Sequence, residues 1–273
     1  MTGHEYDVDT AVELLGDHPA GGRRYAATVT DRWSALGGGA NGGYLLGICV
    51  RALRDEVARH ADGHPDPLVV SAFFLRRGVA GPAELHAEAV RVGRRIATAE
   101  ARLTQAGKET VRVVANFADL GAASGRTEMF AEAPKLPAPE DCVDATGGLS
   151  IPGLTIADRF EYRFAEPPGW SRGAPSGSPR MEFWARFKDG REPDTLCLPS
   201  IVDAAAPAVV ELGEYASSTI ELTTHLRARP APGWLACRVR TSYLIDGYHE
   251  EDFEVWDSKG ALVAQGRQLA LLP

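Results

Sequence analysis

The chain carries one pattern twice. A stretch reading Ser71-Ala72-Phe73-Phe74-Leu75-Arg76-Arg77-Gly78, then Gly81-Pro82, then strand-like text to Gln105-Ala106-Gly107-Lys108, has an echo about 150 residues later. The echo reads Thr224-His225-Leu226-Arg227-Ala228-Arg229-Pro230, then Pro232-Gly233, then strands to Asp257-Ser258-Lys259-Gly260. Each copy follows a candidate helix opened by small residues and closes on one last apolar strand. Internal repetition constrains a fold before any motif does, because the unit that repeats must pack against its own copy. It implies two like domains with a shared interface, and 273 residues accommodate two units of about 120 to 130 residues each.

Within the first unit, Arg23 to Thr30 reads as a strand after a short acidic start. From Tyr44 to about His60 the apolar residues Leu45, Leu46, Cys49, Val50, Leu53 and Val57 recur at three and four, which predicts a helix. Strand text follows at about Leu68 to Arg76, Glu84 to Val92, Arg94 to Thr104 and Thr110 to Leu120, separated by turn signals. One long helix and then four consecutive strands predict an antiparallel sheet wrapping that helix. The stretch from Gly121 to about Ser150, with Pro134, Pro137 and Pro139, reads as a linker. The second unit then repeats the order, with strands at Phe160 to Phe164 and Met181 to Phe187 and a helix from Asp194 to about Glu211. Strands follow at Ser217 to Leu226, Trp234 to Ile245, Glu250 to Trp256 and Ala261 to Leu271. Pro207 falls inside that second helix and should kink or shorten it. The implied division is 1–120, a linker at 121–150, and 151–273.

Composition removes several classes of function. A formal net charge of -8 opposes nonspecific nucleic-acid binding, which depends on Lys and Arg neutralising phosphates. No apolar run approaches the roughly 18 residues of a bilayer span, and the first 20 residues are too acidic and broken for a signal peptide, so a cytoplasmic protein is expected. Cys49, Cys142, Cys197 and Cys237 lack paired spacing and the seven histidines are dispersed, so neither a disulfide framework nor a metal site is written here, and no cofactor is implied. Cys49 reads as core packing.

Gly37-Gly38-Gly39-Ala40-Asn41-Gly42 satisfies the dinucleotide spacing G-x-G-x-x-G between a strand and a helix. The alternation of strands and helices that such a fold requires is missing, since this helix precedes four strands. A helix N-terminus that receives another oxygen, such as a carbonyl, is the better reading.

Taken together, these residues resemble the double-hotdog acyl-CoA thioesterases of the TesB-like group, in a divergent thioesterase-like branch. The resemblance runs from about Arg23 to Leu272. It rests on Asn41-Gly42-Gly43-Tyr44-Leu45-Leu46-Gly47 and Leu68 to Gly78 in the first half. In the second half it rests on Leu198-Pro199-Ser200-Ile201-Val202-Asp203, Thr219-Ile220-Glu221-Leu222-Thr223 and Val263-Ala264-Gln265-Gly266-Arg267-Gln268. The resemblance implies an α+β fold of two tandem hotdogs, two long helices each wrapped by an antiparallel sheet, with a continuous sheet across the two units. It also implies hydrolysis of an acyl thioester by water through an Asp, a Thr or Ser and a Gln. Asp203 matches the aspartate and Gln268 the glutamine. Thr219 fits the motif order, and Thr223 is expected on the same strand face at an even spacing.

The implied partner is an acyl-CoA or acyl-carrier thioester, and the double unit can itself form a homo-oligomer. Asp203 would act as general base, with Gln268 and a threonine fixing the water. Backbone NH groups near Asn41, Gly42 and Gly43 would receive the carbonyl charge. Arg76, Arg77, Arg227 and Arg229 could hold CoA phosphates. Phe73, Phe74 and Trp184 read as core. The chain departs from better-known members at Val70 and Ala72, where they carry histidines, and at Glu221-Leu222-Thr223, which replaces Asp-His-Ser. No G-x-S-x-G occurs, against a serine hydrolase. The rivals are a hotdog dehydratase or hydratase, for which His225 would have to approach the helix mouth, and a catalytically silent acyl-binding protein. A purely structural alternative is that Asp203 only caps orphan donors at the start of its own helix.

Overall fold

The computed structural model describes residues 3–145 and 153–272. The acidic start, unassigned from sequence, forms a short helix α1 (Glu5–Asp9) and a strand β1 (Glu13–Asp17). Its anchors are buried: the Trp33 indole N–H donates to Asp9 at 2.7 Å, and the Tyr6 ring meets Trp33 edge-on. Then come β2 (Arg23–Val29), α2 (Gly42–Ala58), β3 (Asp66–Phe74), β4 (Gly81–Val92), β5 (Ala97–Gln105) and β6 (Lys108–Ala118). After the long connection follow β7 (Val143–Asp144), β8 (Phe160–Phe164), β9 (Arg180–Phe187) and a one-turn helix α3 (Leu198–Ile201). The chain ends with β10 (Ser218–Leu226), β11 (Leu235–Arg240), β12 (Leu244–Ile245), β13 (Tyr248–Trp256) and β14 (Leu262–Leu271).

The 14 strands among the described residues belong to one antiparallel sheet, in the order β1-β2-β4-β5-β6-β3-β10-β14-β13-β11-β9-β8-β7, with β12 beside β13. The two units meet where β3 pairs β10, with Ala72 opposite Leu222 and Val70 opposite Thr224. The continuous sheet and the double-hotdog architecture that the family resemblance implies are therefore present. The first unit keeps its long helix because α2 is enclosed by sheet: Leu45, Leu46, Ile48, Cys49, Val50, Leu53 and Val57 are each at most 1% exposed. Burying each large side chain of this kind contributes roughly 1.5–3 kcal/mol.

The second helix departs from the expectation. Instead of a helix from Asp194 to Glu211, one turn ends at Ile201 and a 3-10 turn begins at Ala208. Pro207 is the physical cause, since its ring would clash with the carbonyl of Asp203 and it offers no N–H, while Ala206 before it is pushed out of helical backbone. Pro207 itself adopts extended backbone with ψ 148. Asp203 consequently stands on the break between the two turns.

The proline-rich connection lies on the outer face of the second unit, where the Trp184 indole donates to the Pro137 carbonyl at 2.9 Å and Arg238 donates to the Glu132 carbonyl at 3.2 Å. Residues 146–150 of the stretch read as linker lie outside the described residues. Two aromatic expectations are corrected here. Trp184 is covered by this connection rather than by core, and Phe73 is half-exposed on the outer face; their strands alternate, and both fall on the outward parity. Among the described residues no helix is long and apolar enough to cross a membrane.

Candidate active site

Asn41 caps α2, its side-chain oxygen accepting from the Tyr44 amide at 2.9 Å. That leaves the first-turn amides of Gly42 and Gly43 facing away from the helix. The broken second helix brings Asp203 to this point: its Oδ2 accepts from the Gly43 amide at 2.6 Å and from Asn41 Nδ2 at 3.0 Å. Asn41 Nδ2 also donates to the Asp203 carbonyl at 2.8 Å. Asp203 thus does serve orphan helix donors, but they belong to the helix of the other unit. The Gly43 amide, expected to be open to a substrate carbonyl, is already engaged, and Gly42 N–H is the first-turn donor left without a partner among the described residues.

The contact demands glycine. A Cβ on Gly43 would lie 2.7 Å from the Ser200 carbonyl and 2.8 Å from Asp203 Cβ, and one on Gly42 would lie 2.8 Å from the Phe74 ring. Ser200 donates to the Gly43 carbonyl at 2.6 Å and is itself hydrogen-bonded to the Tyr6 hydroxyl at 2.6 Å. The two helical turns are thereby locked together around the aspartate.

The wall of the site is the inner face of β10, β14 and β13. In β14 the alternate residues Gly266, Gln268 and Ala270 face inward, and β13 presents His249, Glu251 and Phe253. A bulge in β10 decides which threonine joins them. Leu222 is opposite Gln268 and Glu221 opposite Leu269, but Thr219 is opposite Ala270, so Ile220 is an extra residue. Regular alternation would put Thr219 outward with Glu221 and Thr223; the bulge turns it inward. Its hydroxyl donates to Gln268 Oε1 at 2.8 Å. Thr223, opposite the exposed Arg267, instead donates to the Glu221 carboxylate and meets the Ser71 hydroxyl at 2.9 Å. The two threonines therefore lie on opposite faces, which corrects the expectation that they share one.

Glu251 was not singled out from the sequence. It is 5% exposed, accepts from Gln268 Nε2 at 2.9 Å and also takes the Ala208 amide, which follows the Pro207 break. The signal was legible in the alternation, because Glu251 shares inward parity with Phe253 and Val255. Burial pushes its carboxyl up to about 8, and the nearby Asp203 charge adds to the rise. Burial likewise pushes Asp203 up to about 6, against the Gly43 and Asn41 hydrogen bonds that favour its charged form. Asp203 is therefore mostly ionised at neutral pH.

Family models for the acyl-CoA thioesterase N-terminal domain and the acyl-CoA thioesterase C-terminal domain match residues 29–118 and 139–272. An uncharacterized protein of Mycobacterium tuberculosis is 30% identical, the match covering 92% of this chain and 91% of that protein. The chain belongs to the acyl-CoA thioesterase family. A candidate thioesterase II from Thermobifida fusca is 29% identical and superposes with a TM-score of 0.86 over 100% of this chain and 99% of its own. The tesB protein of Mycobacterium avium shares the fold at a TM-score of 0.76 and 18% identity, covering 98% of each chain.

Of the family's expected site residues, Asn41, Gly42, Gly43 and Asp203 form one cluster, and Thr219 and Gln268 form another on the wall beside it. Arg76 and Arg77 follow β3 next to the α2 N-terminus, where the Ala40 amide donates to the Gly78 carbonyl at 3.0 Å. The Arg77 side chain runs along Gly37, Gly38 and Gly39, and Arg76 donates to the Glu109 carbonyl at 2.6 Å. Arg227 is elsewhere: it follows the end of β10 and, with one residue taken up by the bulge, lies seven ladder steps from Thr219, roughly 23 Å away. Arg229 at that same far end is held by Asp66 and Asp119. His225 is exposed on the outer parity of β10 and does not approach the helix mouth. Cys49 is fully buried, its thiol pushed up to about 12 by desolvation, as a packing residue should be.

Proposed function

We propose that this chain hydrolyses an acyl-CoA thioester to the free acid and CoA. The observation that carries the reading is the ionisable, largely desolvated Asp203 pinned on the N-terminus of α2, beside the Thr219–Gln268 pair, within a thioesterase family. Asp203 Oδ2 is committed to Gly43 and Asn41, so Oδ1 is the oxygen that receives a proton from water. The water's other hydrogen goes to Thr219 or Gln268 Oε1, leaving a lone pair for the thioester carbon.

The attacked carbonyl oxygen gains negative charge, and the Gly42 N–H, unpartnered among the described residues at the positive end of α2, is the donor this reading assigns to it. As the C–S bond breaks, the thiolate departs and takes up the proton that Asp203 received. Arg77, exposed beside the glycine loop, is suited to a CoA phosphate, and Arg76 stands next to it. Arg227 and Thr223 have no part in this reading.

The test is release of free thiol from acyl-CoAs of graded chain length and from an acyl-carrier thioester. Turnover of either class supports hydrolysis and ranks the carriers. If no thiol is released from any of them, the reading is wrong.

A further inference from the structure

Glu251 is a buried acid with no cation partner among the described residues, and such a group is costly unless its hydrogen bonds are specified. Its two oxygens face two donors on different elements, the Ala208 amide and Gln268 Nε2. The backbone amide can only donate, so it fixes one carboxyl oxygen as an acceptor. When Glu251 is ionised the other oxygen accepts from Gln268 and thereby decides which way round that amide lies; protonated, that oxygen would carry the hydrogen and turn the amide the other way. Thr219 cannot make this choice, because a hydroxyl serves equally as donor or acceptor.

The consequence reaches the water. With Nε2 turned to Glu251, Gln268 Oε1 points at Thr219 and takes its hydroxyl proton. Both the Thr219 oxygen and Gln268 Oε1 are then acceptors toward the site, as is Asp203. A water among them donates both hydrogens and keeps its lone pairs for attack. With the amide reversed, Nε2 would donate into that water and occupy the nucleophilic lone pair.

We infer that Glu251 is a positioning residue, holding Gln268 in the one amide orientation that leaves the hydrolytic water's lone pair free. This rests on the thioester-hydrolase reading. The test is the isosteric Glu251→Gln, assayed above the pH of about 8 at which Glu251 ionises. The Ala208 amide claims the new side chain's oxygen, so its NH2 faces Gln268 and reverses it. The expected result is a kcat lower by about a hundredfold, the scale of a misplaced catalytic hydrogen bond, with KM changed less than about threefold. The double variant Glu251→Gln with Gln268→Glu exchanges acid and amide and restores the acceptor at position 268. It should recover at least about tenfold of the lost kcat, which a merely structural role would not produce.

A single variant that keeps wild-type kcat overturns the inference, as does a double variant no faster than the single. A Glu251→Gln protein that fails to fold also overturns it, because Glu251 would then be holding the fold and not one amide. If wild type releases no thiol, the functional reading falls separately, and the positioning role is read from the Gln268 side-chain amide resonances. These should shift between wild type and Glu251→Gln; resonances unchanged by the substitution would refute the role even in an inactive protein.

Discussion

At the scale of single residues, Asp203 joins the two units through one carboxylate oxygen and offers the other to chemistry. Replacing it with Asn keeps the shape and a carbonyl for Gly43 but removes the base, so kcat should fall by about two to three orders of magnitude with the fold retained. The pH dependence carries a sign. Only ionised Asp203 accepts a proton, and burial raises its carboxyl to about 6, so wild-type kcat should rise through that pH, and rise again through about 8 as Glu251 ionises and sets Gln268. Residual activity in Asp203→Asn should lack the lower limb. A wild-type profile flat from pH 5 to pH 8 would exclude Asp203 as the base. Gly43→Ala tests the close approach itself: its Cβ meets backbone of Ser200, which cannot swing aside. Loss of about 1–3 kcal/mol of stability, measured by denaturant unfolding, should accompany loss of turnover.

At the scale of elements, the same sequence signals that were easy to read also mark where reading failed. Helix periodicity in Leu45 to Val57 and turn signals between strands gave α2 and most of the sheet, because burial on a wrapped helix and a pleated face leaves a strong periodic trace. The second helix is shortened as Pro207 requires, but further than its apolar composition from Asp194 to Glu211 suggests, because the proline denies it the backbone to continue. The bulge at Ile220 left no trace in residue type, so even spacing wrongly put Thr223 on the face of Thr219. This yields a discriminating pair. Thr219→Val should lower kcat by roughly ten- to a hundredfold, while Thr223→Val, outward beside Ser71, should stay within about twofold. Steady-state kinetics on both variants decides it, and the reverse ranking would contradict the register.

At the scale of the whole molecule, the two units share one sheet through the β3–β10 seam, and the contact of α2 with Ser200 and Asp203 is made across the same join. The repeat announced that partnership from sequence, whereas the clamp at its far end depends on residues distant in the chain. Asp66, 4% exposed, accepts from the Thr195 hydroxyl at 2.8 Å, the Leu120 amide at 2.9 Å and the Arg229 guanidinium at 2.8 Å. Asp66→Ala therefore leaves the buried Thr195 hydroxyl and the part-buried Leu120 amide, one from each unit, without their acceptor, at a cost of roughly 2–4 kcal/mol. For a chain of this size that corresponds to a melting temperature lower by about 5–15 °C. Because the sheet is continuous, the loss should appear as a downward shift of one cooperative calorimetric transition. Two separated transitions, with only one of them moved, would mean that the units unfold independently and that the seam does not couple them.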